Sequence, residues 1–383
     1  MNSRERVILA LNHEEPDKVP IDIGGTHVTS MHRTIYKKLK KVLNIENNLE
    51  EKILQFSLQS VIVSEEMLGK LHGDIVGIYP NPPKSWKLEI NLEDNSYFDE
   101  WGIKYHLPEN GFYFDMIQHP LKGVNNQSLE KYNWPDPYDE GRFNGLEEKA
   151  KYFYENTDYA ISVLKEKDIA GGILQDCAWL VGFEDWFCLL ASNQDLAIRI
   201  MDKLLEFHIG YWDAMLSRTG KYVQVVVIAD DLGSQDGLLI SPDMYRKFIK
   251  PRHKKLVDFI KSKADVKVLL HSDGAIKEII PDIIEIGIDI LNPIQLTAKG
   301  MSDTKLLNDE FGEKIVFWGG GCDTQKILPF GEPKDVEDEV RKRIDDLKPG
   351  GGFVFSQVHN IQPGVPVQNI ITMYKSALKY GYY

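Results

Sequence analysis

The second half of the chain alternates between short apolar runs and amphipathic stretches. From about Tyr159 onward, each apolar run ends in a cluster of Gly, Asp or Asn, and a longer helix-like stretch follows it. Strands that alternate with helices predict βαβ units and a parallel sheet. The runs are apolar on both faces, as strands are when helices cover both sides of the sheet. They are AGGILQD, VVVIADD, VKVLLHSDG, IDILNPI, IVFWGGGCD and GGFVFSQ.

Two further apolar runs near the N-terminus, VPIDIGG and IVGIYP, bring the six to eight. Eight such units predict an α/β fold of the (β/α)8 TIM-barrel type. A decorated barrel of this type accounts for the whole length, so we interpret residues 1–383 as a single domain. An open doubly wound sheet is the alternative, but the chain has no G-x-G-x-x-G turn to support a dinucleotide fold.

Two regions depart from this alternation. Near the N-terminus, ERVILALNH and MHRTIYKKLKKVLN read as amphipathic helices on either side of VPIDIGG. In residues 86–118, aromatic and polar positions alternate around Asp94 and Asn95, which is typical of hairpins. We therefore predict N-terminal helices and an antiparallel β-hairpin insertion at 86–118.

Composition and charge exclude several classes of partner. The formal net charge of −13 leaves no strong positive field for a phosphate backbone, so nucleic acid is not an expected partner. No apolar stretch reaches the roughly 18 residues of a membrane span, and the charged start MNSRERVILALNHEEPDKVP is unlike a signal peptide. Three scattered cysteines do not make a disulfide framework. We therefore expect a cytoplasmic protein without a membrane partner.

Polar residues and glycines follow the apolar runs where each predicted strand ends. In a (β/α)8 barrel, the carboxyl ends of the strands form the mouth in which active sites lie. Asp and Asn are also favoured as helix N-caps, so each of these has a purely structural alternative. The residues at these ends are Gly24, Gly25, Asp176, Asp230, Asp231, His271, Asp273, Asn292, Gln295, Cys322, Asp323, His359 and Asn360.

Three of these residues form a candidate metal site. His271 and Asp273 are two apart on a predicted strand, so both side chains project to the same face. Cys322 follows the glycines of IVFWGGGCD, which allow close backbone approach. His, carboxylate and thiolate all bind zinc, and a catalytic zinc typically has three protein ligands and one open position. The alternative is that Asp273 caps the next helix, His271 is a hydrogen-bonded rim residue and Cys322 is a packed thiol.

Other candidates point to acid–base chemistry or to a pocket wall. Asp230 and Asp231 face opposite ways on an extended strand, so one is expected in the mouth as a general acid or base and the other in a cap or ion pair. His359 ends the last predicted strand, and functional and structural roles both stay open for it. Trp179 lies in QDCAWLVGFEDWFCLLA, whose aromatic residues indicate core or a pocket wall.

Five segments of the chain together resemble the uroporphyrinogen decarboxylase superfamily. They are RERVILALNHEEPDKVPID, DEWGIKY, VLLHSDG, WGGGCDTQ and HNIQPGVPVQNIITMYKSALKYG. They are more specifically similar to its corrinoid-linked methyltransferase branch, whose members move methyl groups between small methylated compounds, corrinoid proteins, coenzyme M and tetrahydrofolate. The resemblance extends over essentially the whole chain and implies a single (β/α)8 barrel with its site in the mouth.

The resemblance also has implications for substrate and metal. The decarboxylases carry an RQAGRY-type motif that grips tetrapyrrole propionates, whereas IDIGGTHVTSMHRTIYKKL contains none. The methyltransferase branch binds zinc through His-x-Cys on one strand and Cys on a later one. His271 and Cys322 match two of these positions, and Asp273 stands at the third. A carboxylate there would make the metal a stronger Lewis acid, which favours substrate demethylation over thiol activation.

These implications lead to a hypothesis of function. The chain would be a methyltransferase component that moves a methyl group between a small methylated ether, amine or thiol and a separate corrinoid protein, with zinc at His271, Asp273 and Cys322. The partner would carry the cobalamin, because the D-x-H-x-x-G pattern is absent. A metal-free decarboxylase-like lyase, with His359 assisting proton transfer, and a non-catalytic ligand-binding barrel are the alternatives. The substrate space would be lined by Asp230 or Asp231, Gln235, Asn292, His359 and Trp179.

Overall fold

Most of the apolar runs contain strands, which are shorter than the runs themselves. The computed structural model describes residues 1–45, 51–164 and 172–383. The strands are β1 (Ile53–Gln55), β2 (Ser60–Val61), β3 (Ile75–Ile78), β4 (Ser96–Phe98), β5 (Lys104–His106), β6 (Asp115–Gln118), β7 (Ala160–Leu164), β8 (Val225–Ala229), β9 (Lys267–His271), β10 (Ile290–Asn292), β11 (Val316–Trp318) and β12 (Phe353–Val354).

Helices follow most of these strands along the chain. The longest, α8, has 26 residues, yet none of the described helices combines the length and apolar character needed to cross a membrane. The helices are α1 (Ser3–Leu11), α2 (Arg33–Val42), α3 (Glu65–Leu71), α4 (Asn126–Lys131), α5 (Leu146–Asn156), α6 (Ile173–Val181), α7 (Phe183–Ser192), α8 (Gln194–Thr219), α9 (Pro242–Met244), α10 (Lys250–Lys263), α11 (Ile280–Glu285), α12 (Thr304–Phe311), α13 (Ile327–Phe330), α14 (Pro333–Leu347) and α15 (Val367–Tyr380).

Seven parallel strands and one bridging segment form a closed barrel. The sheet has the order β12-β11-β10-β9-β8-β7-β3. The segment around Ile21 fills the remaining position, because the backbone N–H of Asp22 donates to the Phe355 carbonyl at 2.8 Å and that of Phe355 donates to the Pro20 carbonyl at 2.8 Å. On the other side, the Asp74 N–H donates to the Ile21 carbonyl at 2.7 Å. The predicted (β/α)8 TIM-barrel fold is confirmed.

Alternate residues of each strand face the barrel interior and the surrounding helices. Val227 and Leu269 belong to the apolar cluster inside the barrel, whereas Val226 and Val268 belong to the larger cluster against the helices. Helix α1 contributes to the inner cluster and closes the end of the barrel opposite the mouth. By the same alternation, His271 lies inside the barrel at the carboxyl end of β9.

The insertion at 86–118 is antiparallel as predicted and has one strand more than a hairpin. Strands β4, β5 and β6 pair in this order. Tyr97 and Tyr105 are directly opposite each other, and their rings stack with centroids 4.9 Å apart. Tyr105, Phe114 and Met116 contribute to the wall of the cavity at the barrel mouth.

The prediction of a strand at AGGILQD is wrong. Strand β7 lies earlier, at Ala160–Leu164, and helix α6 begins at Ile173, while positions 170 and 171 of the run lie outside the described residues. The apolar residues from Ile173 onward recur at helical spacing and are buried along one helix. Asp176 consequently lies in the first turn of α6, where it contacts His208 at 3.2 Å, and not at a strand end.

Candidate active site

A cavity of about 230 Å³ lies at the carboxyl ends of the barrel strands. One side of it is polar, formed by residues that follow the strands, and the other is largely aromatic and apolar. The polar side includes His27, Gln175, Asp231, His271 and His359, and the apolar side includes Tyr105, Phe114, Met116 and Trp179. The predicted pocket-wall position of Trp179 agrees with this geometry.

Asn292 orients the ring of His271. The Nδ2 of Asn292 donates to the Trp318 carbonyl at 2.7 Å, so its Oδ1 faces Nδ1 of His271, also at 2.7 Å. Because Oδ1 only accepts, Nδ1 of His271 must donate, and the neutral ring then has its lone pair on Nε2. That Nε2 lies 3.8 Å from Asp231 Oδ1 and 4.0 Å from Asp273 Oδ2. The Nε2 lone pair and the two carboxylates face one another, which favours binding of a cation between the three groups.

Asp273 is the carboxylate whose bonding is incomplete. Its Oδ1 is buried and has no hydrogen-bond partner within the described part of the chain. Its Oδ2 lies 3.8 Å from Nε2 of His359. A buried carboxylate oxygen without a donor costs free energy, which a bound cation would offset. The capping alternative is not observed, because the next helical turn begins at Lys277 after Ile276, without a side-chain cap.

His271, Asp273 and His359 together form a group suited to a metal ion. One ligand atom of each lies within 4.8 Å of the other two. This spacing is somewhat wider than bonds of about 2.0–2.2 Å to a tetrahedral zinc allow, so a small side-chain movement would complete the site. Three protein ligands beside a cavity are the pattern of a catalytic metal site.

The tandem aspartates have different surroundings, as their alternation predicts. Asp231 lines the cavity: its Oδ1 accepts the backbone N–H of Asp273 at 2.9 Å, and its Oδ2 accepts the side-chain amide of Gln175 at 2.7 Å. Asp230 is fully buried and lies behind the cavity, where it accepts a hydrogen bond from the backbone N–H of Leu174 at 2.9 Å. Asp231 is therefore the member of the pair that faces the cavity.

Two cavity histidines are held in the neutral form by their surroundings. Burial lowers the pKa of His27 well below its usual value, and the nearby rings of His271 and His359 lower it further. Burial also lowers the pKa of His359, although the charge of Asp273 partly opposes this effect. A neutral imidazole is the form that binds a metal, so His359 is available as a ligand without first losing a proton at neutral pH.

Cys322 lies apart from this group. Its side chain is fully buried in the cluster between barrel and helices, and its Sγ is 4.0 Å from the Asp323 carbonyl. Burial raises the pKa of the thiol well above its usual value. Gly319 and Gly320 have φ values of +96° and +83°, so the chain turns sharply between β11 and this cysteine. The geometry matches the packed-thiol alternative.

The remaining sequence candidates do not line the cavity. Asn292 is buried behind His271, and Gln295 accepts the backbone N–H of Gly274 at 2.6 Å. Asn360 donates to the carbonyl of His27 at 2.9 Å. Gln235 is exposed and is not among the cavity residues, and its backbone carbonyl accepts the N–H of Lys299 at 2.9 Å.

Two of the polar cavity residues that were missed in the sequence are His27 and Gln175. His27 follows Gly24 and Gly25 at the end of the first predicted strand, so its position beside the mouth was a usable signal. Gln175 was missed because the incorrect prediction of a strand at AGGILQD placed this residue just before a strand end. In the structure it lies in the first turn of α6.

Comparisons with known proteins agree with this architecture. A family model described as uroporphyrinogen decarboxylase (URO-D) matches residues 110–380. A methylcobamide:CoM methyltransferase MtbA of Methanosarcina acetivorans is 25% identical over 274 residues, which cover 70% of this chain and 72% of that protein. A uroporphyrinogen decarboxylase of Alkalilimnicola ehrlichii is 23% identical over 280 residues, 70% of this chain and 68% of that protein. A solved methyltransferase from Methanosarcina mazei has the same fold, with a TM-score of 0.67 at 18% identity over 99% of both chains.

Proposed function

Because the chain belongs to the uroporphyrinogen decarboxylase family, we propose that it is the methyltransferase component of a corrinoid-dependent system. It would move a methyl group between a small methylated substrate and a corrinoid carried by a separate protein. The relatives named as methylcobamide:CoM methyltransferases support methyl transfer. The observation that carries the proposal is the ligand group His271, Asp273 and His359 beside the mouth cavity.

We assign zinc to this site, with His271, Asp273 and His359 as its ligands. Two imidazoles and a carboxylate are a known type of catalytic zinc site. When bound, the metal would act as a Lewis acid that draws electron density from the substrate heteroatom. Asn292 would keep Nε2 of His271 directed at the ion, and Asp231 would hold the backbone of Asp273 in place.

Asp231 would also pass to the substrate heteroatom the proton that the reaction requires. In demethylation, the bond between heteroatom and methyl carbon breaks, its electron pair stays on the heteroatom, and the methyl group passes to the cobalt(I) of the partner. The heteroatom then takes up a proton. Asp231 lines the cavity and its side chain is 29% exposed, so it is placed to pass a proton from solvent.

The cavity favours a small substrate over a tetrapyrrole. Its volume of about 230 Å³ is below the roughly 300–1,000 Å³ typical of pockets for drug-sized ligands. The aromatic and apolar wall from the insertion and Trp179 would surround the methylated end of the substrate and exclude water. The corrinoid would remain on the partner protein, outside this cavity.

Formation of methylcobalamin tests this proposal. Zinc-loaded protein would be incubated with free cob(I)alamin and a panel of methyl ethers, methylamines and methyl thioethers, and methylcobalamin would be followed by its absorbance. We expect transfer from at least one substrate class. The variants Asp273→Asn and His359→Gln should lose more than the roughly 10–100-fold that removal of an outer-shell contact costs.

The matched control is Lys342→Ala, an exposed position on α14, which should react at the wild-type rate. Full methyl transfer by Asp273→Asn and His359→Gln would contradict the metal assignment. Metal-independent release of carbon dioxide from a carboxylated substrate, with no methyl transfer from any class, would instead establish the lyase alternative.

A further inference from the structure

A buried hydrogen-bond network connects helix α10 to helix α6 behind the cavity. The Asp230 carboxylate accepts the backbone N–H groups of Leu174 and Gln175 at 2.9 and 2.8 Å. Its Oδ2 also lies 2.9 Å from Nε2 of His253, whose side chain is 2% exposed. Because α6 is preceded by Gly172 and has no side-chain cap of its own at that position, Asp230 supplies the acceptor from another element.

The network continues from α6 to the candidate metal site. The side-chain amide of Gln175 donates to Asp231 Oδ2 at 2.7 Å, and Asp231 Oδ1 accepts the backbone N–H of Asp273 at 2.9 Å. The position of Asp273 therefore depends on Asp231, and the position of Asp231 depends on the first turn of α6. Each link is a hydrogen bond of ordinary length.

We propose that His253 is a positioning residue for the metal site. Through Asp230 it fixes the first turn of α6, and through Gln175 and Asp231 it holds Asp273 in the geometry that binds the ion. A buried carboxylate needs hydrogen-bond donors that compensate its charge. Loss of His253 would remove one donor from Asp230, so the carboxylate could shift and the N-terminal end of α6 would shift with it. The inference rests on the proposed function, because it takes Asp273 as a metal ligand.

The protein contains a matched control for this proposal on the same helix. Asp176, one residue beyond Gln175, pairs with His208 at 3.2 Å, and their side chains are 1% and 3% exposed. Neither of these two residues lines the cavity. The variant without His208 therefore measures the effect of losing a buried pair on α6 that is not part of the hydrogen-bonded path through Gln175 and Asp231 to Asp273.

Zinc affinity and backbone protection would be measured for His253→Phe, His253→Gln and His208→Phe. Affinity would come from competition with a chromophoric chelator, and protection from amide hydrogen exchange of residues 172–181 in metal-free protein. We expect His253→Phe to weaken zinc binding about 10-fold, the lower end of outer-shell effects, and to speed exchange at Leu174 and Gln175. In His253→Gln, the amide nitrogen lies near the position of the His253 Nε2, so zinc affinity and exchange protection should both return to wild-type levels. His208→Phe should keep wild-type zinc affinity.

Wild-type zinc affinity in a folded His253→Phe variant would overturn the positioning role, as would equal losses in His253→Phe and His208→Phe. If His253→Phe fails to fold, His253→Gln is compared with His253→Asn, whose shorter side chain does not reach Asp230. Weaker binding by His253→Asn supports the role, and equal affinities overturn it. Failure of the proposed function looks different, because wild-type protein would then bind no zinc, or Asp273→Asn would bind it equally well.

Discussion

Asn292 determines which nitrogen of His271 is available to a metal. The amide nitrogen donates a hydrogen bond to the Trp318 carbonyl, and the amide oxygen accepts a hydrogen bond from Nδ1–H of His271. In the sequence, Asn292 was interpreted as a substrate-binding residue because it ends a predicted strand. The structure places it one layer behind the cavity, where its contact is with a candidate ligand and not with the cavity space.

Replacement of Asn292 should therefore weaken metal binding without removing a ligand. In Asn292→Leu, Nδ1 of His271 loses its acceptor, the ring is free to change tautomer or rotate, and zinc affinity should fall about 10–100-fold. Asn292→Asp keeps an acceptor at the same place and should bind zinc more tightly than Asn292→Leu. Chelator competition measures both, and equal affinity of Asn292→Leu and the wild type would contradict the orienting role.

The turn after β9 requires glycine at position 274. Gly274 has φ +95°, and an added Cβ would lie 2.3 Å from the backbone carbon of Gly233. This close approach brings the HSDG turn against the loop after β8, which carries Asp231. The local sequence thus specifies both the sharp turn and the packing of two loops that meet at the site.

Gly274→Ala should lower the free energy of unfolding. The left-handed backbone alone costs roughly 1–2 kcal/mol for a residue with a Cβ, and the contact with Gly233 adds to it. Gly237→Ala is the control, because no atom lies within 4 Å of the added Cβ, and a change of at most about 1 kcal/mol is expected there. Urea unfolding compares the two, and equal stabilities would contradict the packing argument.

The elements were predictable where the hydrophobic period was unambiguous. Buried strands such as β8 and β9 were found from apolar runs that end in polar residues. The spacing by two predicted that His271 and Asp273 project to the same side, and their side chains do lie close together. The same reasoning did not locate Cys322 correctly relative to that site, because strand alternation stops at the glycines after β11. It also missed α6, whose apolar start resembles a strand when read over a short window.

At the scale of the whole molecule, eight apolar runs that alternate with helices predicted the barrel, because eight parallel strands can close on themselves and leave no exposed edge. Sequence alone does not show which residues from distant strands meet at the mouth. His359 follows β12, the last strand, and its ring contacts that of His271 at the end of β9. This contact depends on the curvature of the closed sheet. The grouping of His359 with His271 and Asp273 is therefore a property of the tertiary structure.

The buried histidines of the mouth make the stability of metal-free protein depend on pH. His27 has a lowered pKa in the folded state, whereas in the unfolded chain its pKa is about 6.5. Below that pH the unfolded state binds a proton that the folded state does not, so stability falls as pH falls. The contribution is up to about 1.4 kcal/mol per pH unit for one histidine.

The variant His27→Phe keeps a ring of similar size and removes this proton. Its free energy of unfolding should fall less steeply between pH 6.5 and 5 than that of the wild type, by up to about 1.4 kcal/mol per pH unit. Denaturant titrations at several pH values measure the two slopes. Identical slopes would show that His27 does not remain neutral in the folded protein.

Zinc stoichiometry by elemental mass spectrometry is the most direct test of the metal site. It would compare protein purified without chelators as wild type, His359→Gln, Asp273→Asn and Cys322→Ser. The account predicts about one zinc per chain in the wild type and in Cys322→Ser, and little or none in the other two. Loss of zinc from Cys322→Ser with retention by His359→Gln would contradict it, as would a wild-type protein that takes up no zinc when supplied with it.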